Sequence, residues 1–564
     1  MNNMTRNILA ALMLTCVWAA QAQPFNLKKA SKAVFAVKTF AQDGTLLGST
    51  NGFFVGTDGV GVSSYAPFKG ASSAVVIDAQ NKEWPVELVL GANASCDVVR
   101  FRTGARKVQG LTATATAAGT GNEVWLLHVG ARRTVEARHA VVRRVETVAG
   151  SYAYYSVAAD DRKPVADGGE NCPLLGADGS VVGILQASAT PADTLAYAVD
   201  MRLADSLRMT GLSINDDALR QIHIKKALPE QLDQAQLTLF VARSAVDSAA
   251  YATLVDDFIR QFPQSSEGYE YRAQLKLNAN DFAGAQADMD HAVSVAEKKD
   301  EAHLAYSRLI LQKEIYKAQM PYEPWSLGKS LDEARKAYEL NPLPIYMHQQ
   351  ASVLFTKKDY EQASALYRQL AATPLRSADL FVEAARCSEM MRDTLGQLAL
   401  LDSAVNVFSR PYLQEAAPFL LARAQARLAA GRYRDAVTDL NDCEQLWRSQ
   451  LSAQFYYVRF QAEVGGRLFQ PALNDISKAI EMDSQNEVYY AERASLQVRV
   501  GLLDDAMETA RQCISVAPEG SDGYLFLGLA QCLKGLKAEG LQNLQKASEL
   551  GDPQAAELIA KYAQ

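Results

Sequence analysis

Glycine (34 residues) and proline (18 residues) together make up under a tenth of the 564-residue chain. That scarcity excludes collagen-like and low-complexity architectures. No Lys/Arg-rich run of the kind that neutralises a phosphate backbone occurs, so non-specific nucleic-acid binding is not expected. Uninterrupted apolar stretches long enough to cross a bilayer are also missing: the apolar run from Ile8 to Ala20 is too short. With Arg6 before it and the small-x-small triplet Ala20-Gln21-Ala22 after it, that run reads as a secretory signal over residues 1–22, with the mature chain starting at Gln23. Cys16 follows Met13-Leu14-Thr15, a poor setting for lipid attachment. No metal-binding pattern or cofactor motif emerges, and neither is expected. The chain is 48% apolar and 21% charged, the composition of folded domains, and it is too long for one core.

Two segments differ in their patterning. From Phe25 to Met209, short β-branched and aromatic runs such as Ala33–Val37, Ala74–Ile77, Val124–Leu127 and Val181–Leu185 are separated by Gly, Asp or Asn, which predicts an all-β barrel or sandwich. Residues 210–265 read as a linker and a degenerate helical repeat starting near Glu230, and residues 266–564 follow a helical period. Charge divides along the same line. Phe25 to Met209 carries 19 basic and 17 acidic residues, whereas the remainder of the mature chain has a net charge of about −10.

The helical segment repeats. A turn followed by alanine recurs at Ala285, Ala363, Ala436, Ala472 and Ala506, with a small or apolar residue seven positions later at Ala292, Leu370, Cys443, Ala479 and Cys513. The last three units begin near Ala453, Glu487 and Ser521. Tyr490, Ala494, Ala506, Cys513 and Pro518 carry the resemblance to the tetratricopeptide repeat (TPR), in about eight units, with an extra loop around Met320–Pro324. The resemblance implies a solenoid whose concave face binds proteins or peptides, with Tyr457, Arg459, Tyr489 and Arg493 as candidate partner-binding residues. The basic clamp that some such arrays use for acidic tails is absent: its positions hold Tyr457/Gln461, Ala491/Ser495 and Leu525/Leu529.

The β segment resembles HtrA-type trypsin-like peptidases. Gly48-Ser-Thr-Asn-Gly-Phe-Phe-Val55 and Asp58-Gly-Val-Gly-Val-Ser-Ser-Tyr-Ala-Pro-Phe-Lys-Gly-Ala71 align with that family's opening strands, and this puts Ala66 where the family has its catalytic histidine. Gly91–Phe101 places Asp97 at the aspartate position, and Gly168–Ile184 places Glu170 at the nucleophilic serine, followed by Asn171 and Cys172 in place of two glycines. Ala196–Leu207 resembles the closing segment. The implied architecture is an all-β trypsin-like double barrel followed by an all-α TPR solenoid.

Acyl transfer by this constellation needs a hydroxyl nucleophile, an imidazole and free N–H donors for the oxyanion. Ala66 removes the base, and Glu170 replaces the hydroxyl with a carboxylate. No catalytic residue is therefore expected, although an active serine endopeptidase that recruits substrate through its repeats is the alternative. His128 and His139, the only histidines of this segment, lie far from these motifs in sequence and are expected to be structural. In the trypsin-like fold the aspartate and serine segments meet, which makes Cys96 and Cys172 candidates for a disulfide. The expected role is that of a protein- or peptide-binding scaffold, part of an envelope complex. Its expected location is the periplasm, with the cell surface or secretion as alternatives.

Overall fold

The computed structural model describes residues 24–130, 133–161, 169–187, 194–447 and 451–563. The signal reading at residues 1–22 lies outside them. The chain divides after Leu275 into two compact units.

Twelve strands form two closed barrels in the first unit. The strands of the first barrel are β1 (Val34–Phe40), β2 (Leu46–Val55), β3 (Val60–Ser63), β4 (Ser73–Ile77), β5 (Glu83–Asn93) and β6 (Val98–Thr103). They close in the order β1-β2-β3-β6-β5-β4. The second barrel comprises β7 (Glu123–Val129), β8 (Val135–Val148), β9 (Tyr152–Ala159), β10 (Pro173–Leu175), β11 (Val181–Leu185) and β12 (Leu195–Asp200), in the order β10-β11-β12-β9-β8-β7. Pairing is antiparallel throughout, for example Val34 opposite Phe53 and Val124 opposite Ala140.

The side-chain period of two sorts residues between barrel interior and outside. β9 alternates strictly, with Ala153, Tyr155, Val157 and Ala159 buried, whereas all five residues of β11 are buried. Phe35, Phe54, Phe68 and Phe101 fill the first barrel, with the Phe35 and Phe54 rings 4.7 Å apart. Gly52, within the Gly48–Val55 motif, is required sterically: a β-carbon there would meet the Val62 carbonyl oxygen at 2.6 Å.

The stretch expected as a linker is partly integral to the first barrel. Leu219, Ile222 and Ile224 join its core, and the Ala227 amide donates to the Val89 carbonyl at 2.9 Å. Leu219 belongs to the short helix Asp217–Arg220, and it is the barrel wall, distant in sequence, that buries it with Ile222 and Ile224. A helical hairpin follows, Leu232–Ala245 and Ser248–Gln261, packed through Leu239, Ala242, Val255 and Phe258.

From Lys276 onward the described elements are α-helices, with one 3-10 turn at Gln414–Ala416. Helices begin at Ala453, Glu487 and Ser521, the positions spaced by 34 residues. Ala285, Ala363, Ala436, Ala472 and Ala506 are fully buried. Small side chains at these crossings let paired backbones approach closely. Five residues before each of them, Asn280, Lys358, Gly431, Arg467 and Gly501 adopt the left-handed conformation, with φ between 60° and 80°. Each thus ends a first helix in a turn that glycine makes without strain. Arg467→Gly is expected to stabilise the helical unit by about 0.5–1 kcal/mol, and Gly501→Ala to destabilise it by about 1 kcal/mol. Chemical denaturation followed by circular dichroism measures both, and equal signs for the two changes would refute the account. The loop around Met320–Pro324 is anchored by an aromatic cluster: Tyr322 and Trp325 pack edge-to-face at 5.6 Å, and both rings lie against Phe282.

Candidate functional site

Strand β3 ends at Ser63, and the chain turns through Ser64 and Tyr65 into the single 3-10 turn Ala66–Phe68, started by Pro67. Asp97 lies just before β6 with φ 51°. Its Oδ1 accepts from the Ala66 amide at 2.7 Å and its Oδ2 from the Ser64 hydroxyl at 2.5 Å, while its carbonyl accepts from the Tyr65 amide at 3.3 Å. The carboxylate therefore pins the turn that presents Ala66, and both of its oxygens are taken. The methyl group of Ala66 offers no proton acceptor.

Glu170 sits in the turn that leads into β10. Its carbonyl accepts from the Asn51 side-chain amide at 3.2 Å, and the Asn171 side chain donates to the Thr50 hydroxyl at 2.7 Å. These two bonds fasten the turn to β2 of the other barrel. Asn171 takes the left-handed conformation, φ 60°, where asparagine is better tolerated than most residues. The Cys172 amide donates to the Gly169 carbonyl at 3.1 Å. The structure thus joins Ala66 to Asp97 directly and locks the Glu170 turn against β2.

The expected Cys96–Cys172 disulfide is not formed: both residues are thiols. Cys172 points into the apolar core of the second barrel, fully buried, and burial pushes its thiol up to about 12. Cys96 is half-buried against the rim of the same core, and burial raises its pKa as well. A thiol so disfavoured as thiolate does not serve as a nucleophile at neutral pH. His139 is occupied in the second barrel, its Nδ1 2.5 Å from Asp160 and its ring 5.1 Å from Trp125. His128 lies on β7. The cysteines at 387, 443, 513 and 532 are all buried within the helical unit.

Two of the four residues expected on a binding face are instead interior. Arg459 is 4% exposed: it meets Asp475 through Nε and Nη2 (2.5 and 2.9 Å), Glu444 at 2.6 Å and Asn441 at 3.0 Å. Tyr489 is equally buried, its ring 5.1 Å from Tyr457. A long cationic side chain on a first helix looks surface-directed in sequence, but carboxylates on neighbouring helices draw it inside. Tyr457 and Arg493 remain half-exposed. Tyr457 stacks on Phe460, with 6.0 Å between rings, and donates to Glu492 at 3.4 Å; Arg493 donates to the Thr509 hydroxyl at 3.2 Å.

Sequence reasoning missed the ladder to which Arg459 belongs. An arginine on a first helix pairs with a residue sixteen positions later on the second: Arg423 with Asp439, Arg459 with Asp475, Arg493 with Thr509. The signal was present as Arg-x15-Asp in two successive repeats. Arg427 joins it, donating to Asp439 at 2.7 Å and to Asp402 at 3.0 Å. Beside the Arg459 pair lies Glu463, 4% exposed, with Oε2 lacking any hydrogen bond.

Comparison with protein-family models finds no match. Among curated proteins, the small glutamine-rich tetratricopeptide repeat-containing protein 2 of Saccharomyces cerevisiae is 29% identical over 93 residues, covering 16% of this chain and 27% of its own length. The heat shock protein STI1 of the same yeast is 31% identical over 101 residues, 18% of this chain and 17% of that protein. The Hsp70-Hsp90 organizing protein 3 of Arabidopsis thaliana is 22% identical over 243 residues, 39% of each chain. The chain therefore spans well under half of these curated relatives. Among solved structures, the active form of the Rv3671c protease from M. tuberculosis matches at a TM-score of 0.28 and 17% identity, covering 36% of this chain and 85% of that one. The HtrA-type protease AlgW with tripeptide matches at a TM-score of 0.28 and 16% identity, covering 34% and 62%. The paired six-stranded barrels and the hairpin array define the class: a trypsin-like double barrel followed by TPR-type helices.

Proposed function

We propose that the protein is an exported, catalytically inactive trypsin-like domain joined to a TPR array, acting as a protein- or peptide-binding scaffold of the cell envelope. At the coarse level, the barrel fold together with the tetratricopeptide relatives supports a peptide-binding scaffold. The single observation that carries inactivity is the side chain that the Asp97-pinned turn presents: a methyl group at Ala66, with no imidazole to act as base. Removing either the nucleophile or the base costs a factor on the order of 10⁶ in kcat in well-studied serine peptidases, and here both positions are substituted.

Two features favour partner binding by the helical unit. Half-exposed Tyr457 and Arg493 supply an aromatic surface and a cation that, among the described residues, is held by a neutral hydroxyl and no carboxylate. Aromatic and arginine side chains are the groups that most often anchor interfaces. No described helix is long and apolar enough to cross a membrane. The export reading rests on the Ile8–Ala20 run and the Ala20-Gln21-Ala22 triplet.

A fluorophosphonate probe incubated with the purified full chain is expected to label it no more than a heat-denatured control. Labelling above that control would establish the active-peptidase alternative. Crosslinking and pull-down from envelope fractions is expected to recover discrete protein partners, and N-terminal sequencing of the native protein to begin at Gln23.

A further inference from the structure

A second constellation lies away from the cleft, on the outside of the first barrel. Arg100 and Arg102 are two residues apart on β6 and share its outer face, while Val99, Phe101 and Thr103 point inward and are fully buried. The two arginines line a cavity of about 320 Å³ whose wall also includes Arg208, Glu230, Gln231 and Gln234. Three guanidinium groups therefore meet a single carboxylate on the lining.

The carboxylates near them, Asp205 and Glu230, leave the three arginines with one positive charge in excess. Arg100, its side chain 14% exposed, donates to the Leu207 carbonyl at 3.2 Å and lies 3.7 Å from Asp205. Arg208 donates through Nη1 to the backbone carbonyls of Asp205 and Leu207, and neither bond uses its Nε or Nη2. Among the described residues neither Arg102 nor Arg208 forms an ion pair with a carboxylate. Burial, then Arg208, lowers the pKa of Arg100; Arg102 pushes the same way, against the opposing pull of Asp205 and Glu230. Like charges held together at a partly dry wall are unfavourable unless an anion joins them. The helix Leu232–Ala245 starts at this wall, and Gln231, in its N-cap position, makes no side-chain capping bond. Asp233, in the first turn, is exposed and accepts from Gln234.

We propose that this cavity binds a small organic oxyanion of di- or tricarboxylate or phosphate type, gripped by Arg102 and Arg208 with Arg100 as the buried anchor. Guanidinium forks match the oxygens of carboxylates and phosphates in pairs, which a surface lysine does not do. The volume falls at the lower end of the range for small-molecule pockets, room for a compact polyanion. This site is independent of the scaffold reading, since it involves neither the Ala66 and Glu170 turns nor the helical unit.

Isothermal titration of the full chain with citrate and, separately, with pyrophosphate at low ionic strength tests it. The expected result is saturable one-site binding of at least one of them with Kd below about 1 mM. Arg102→Gln and Arg208→Gln should each weaken it by about ten-fold or more, while Arg432→Gln, in the helical unit, leaves it unchanged. Preference for citrate or for pyrophosphate assigns the carboxylate or the phosphate class. Arg102 anchors no other described side chain, so its variant keeps the fold, and circular dichroism checks this. Failure of both anions to saturate, or binding that survives Arg102→Gln at full strength, overturns the proposal.

Discussion

Replacing Asp439 with alanine is expected to destabilise the helical unit by about 3–5 kcal/mol, the largest loss among single substitutions outside the apolar core. The side chain is 2% exposed and serves two arginines: it accepts from Arg423 at 3.0 and 2.7 Å and from Arg427 at 2.7 Å. Removing it strands two guanidinium groups whose side chains are 9% and 12% exposed, with the half-exposed Asp402 as the remaining carboxylate. Most of the cost comes from this uncompensated buried charge rather than from the loss of attraction. Asp402→Ala is the comparison: it touches the same arginines from a position 41% exposed, and a loss of about 1 kcal/mol or less is expected. Urea denaturation followed by circular dichroism measures both. Equal effects would show that burial does not govern the ladder.

Glu463→Gln is expected to stabilise the protein in a pH-dependent manner. Burial first, and the nearby Asp475 second, raise the Glu463 carboxyl from its ordinary 4.5 to about 8, against the opposing pull of Arg459 and Lys478. Below pH 4.5 the group is protonated in both folded and unfolded chains and imposes no penalty. Between 4.5 and about 8 the folded chain holds a proton that the unfolded chain has released, so stability falls as pH rises. Above about 8 the folded state carries the charge and the penalty is complete. Glutamine keeps the shape without the charge. Its benefit should therefore be near zero at pH 4, grow through pH 5 to 8 and level off above that, reaching on the order of 2 kcal/mol after screening by solvent. Melting temperatures of both proteins across this range decide it, and a difference that does not vary with pH would refute a charged-state penalty at Glu463.

The two units differed in how openly the sequence displayed them. The 34-residue register was legible because each hairpin needs a small residue where its helices cross, and Ala472 and Ala506 have no other way to satisfy that geometry. The barrel was legible from its framework segments, whose glycines and apolar alternation are set by strand pairing: Gly52 by its approach to Val62, Val181–Leu185 by burial on both faces. Ala66 and Glu170 were plain in the sequence, but the use of Asp97 as a clamp on the Ala66 amide was not. That bond joins residues 31 positions apart and involves a backbone group, which carries no side-chain signature.

Charged residues were the hardest to place. Arg459 looks like a surface residue in isolation, yet its environment comes from Glu444 on the preceding hairpin and Asp475 on its own. Arg100 and Arg102 gave no signal, because their cavity is completed by Arg208 and Gln231, more than 100 residues away. The Cys96–Cys172 pairing failed for a related reason: proximity of two segments does not fix the direction of a side chain, and Cys172 turns into the barrel core.

The sequence by itself determined the division into a strand-rich segment and an acidic helical repeat. Such features are local or periodic, written in residue type and spacing. Only the tertiary structure decided which charges are buried and which are free, where the barrel ends, and that three arginines share one wall. Those outcomes depend on groups distant in sequence sharing one dielectric environment, and solvation and Coulomb energies follow separation in space, not position along the chain.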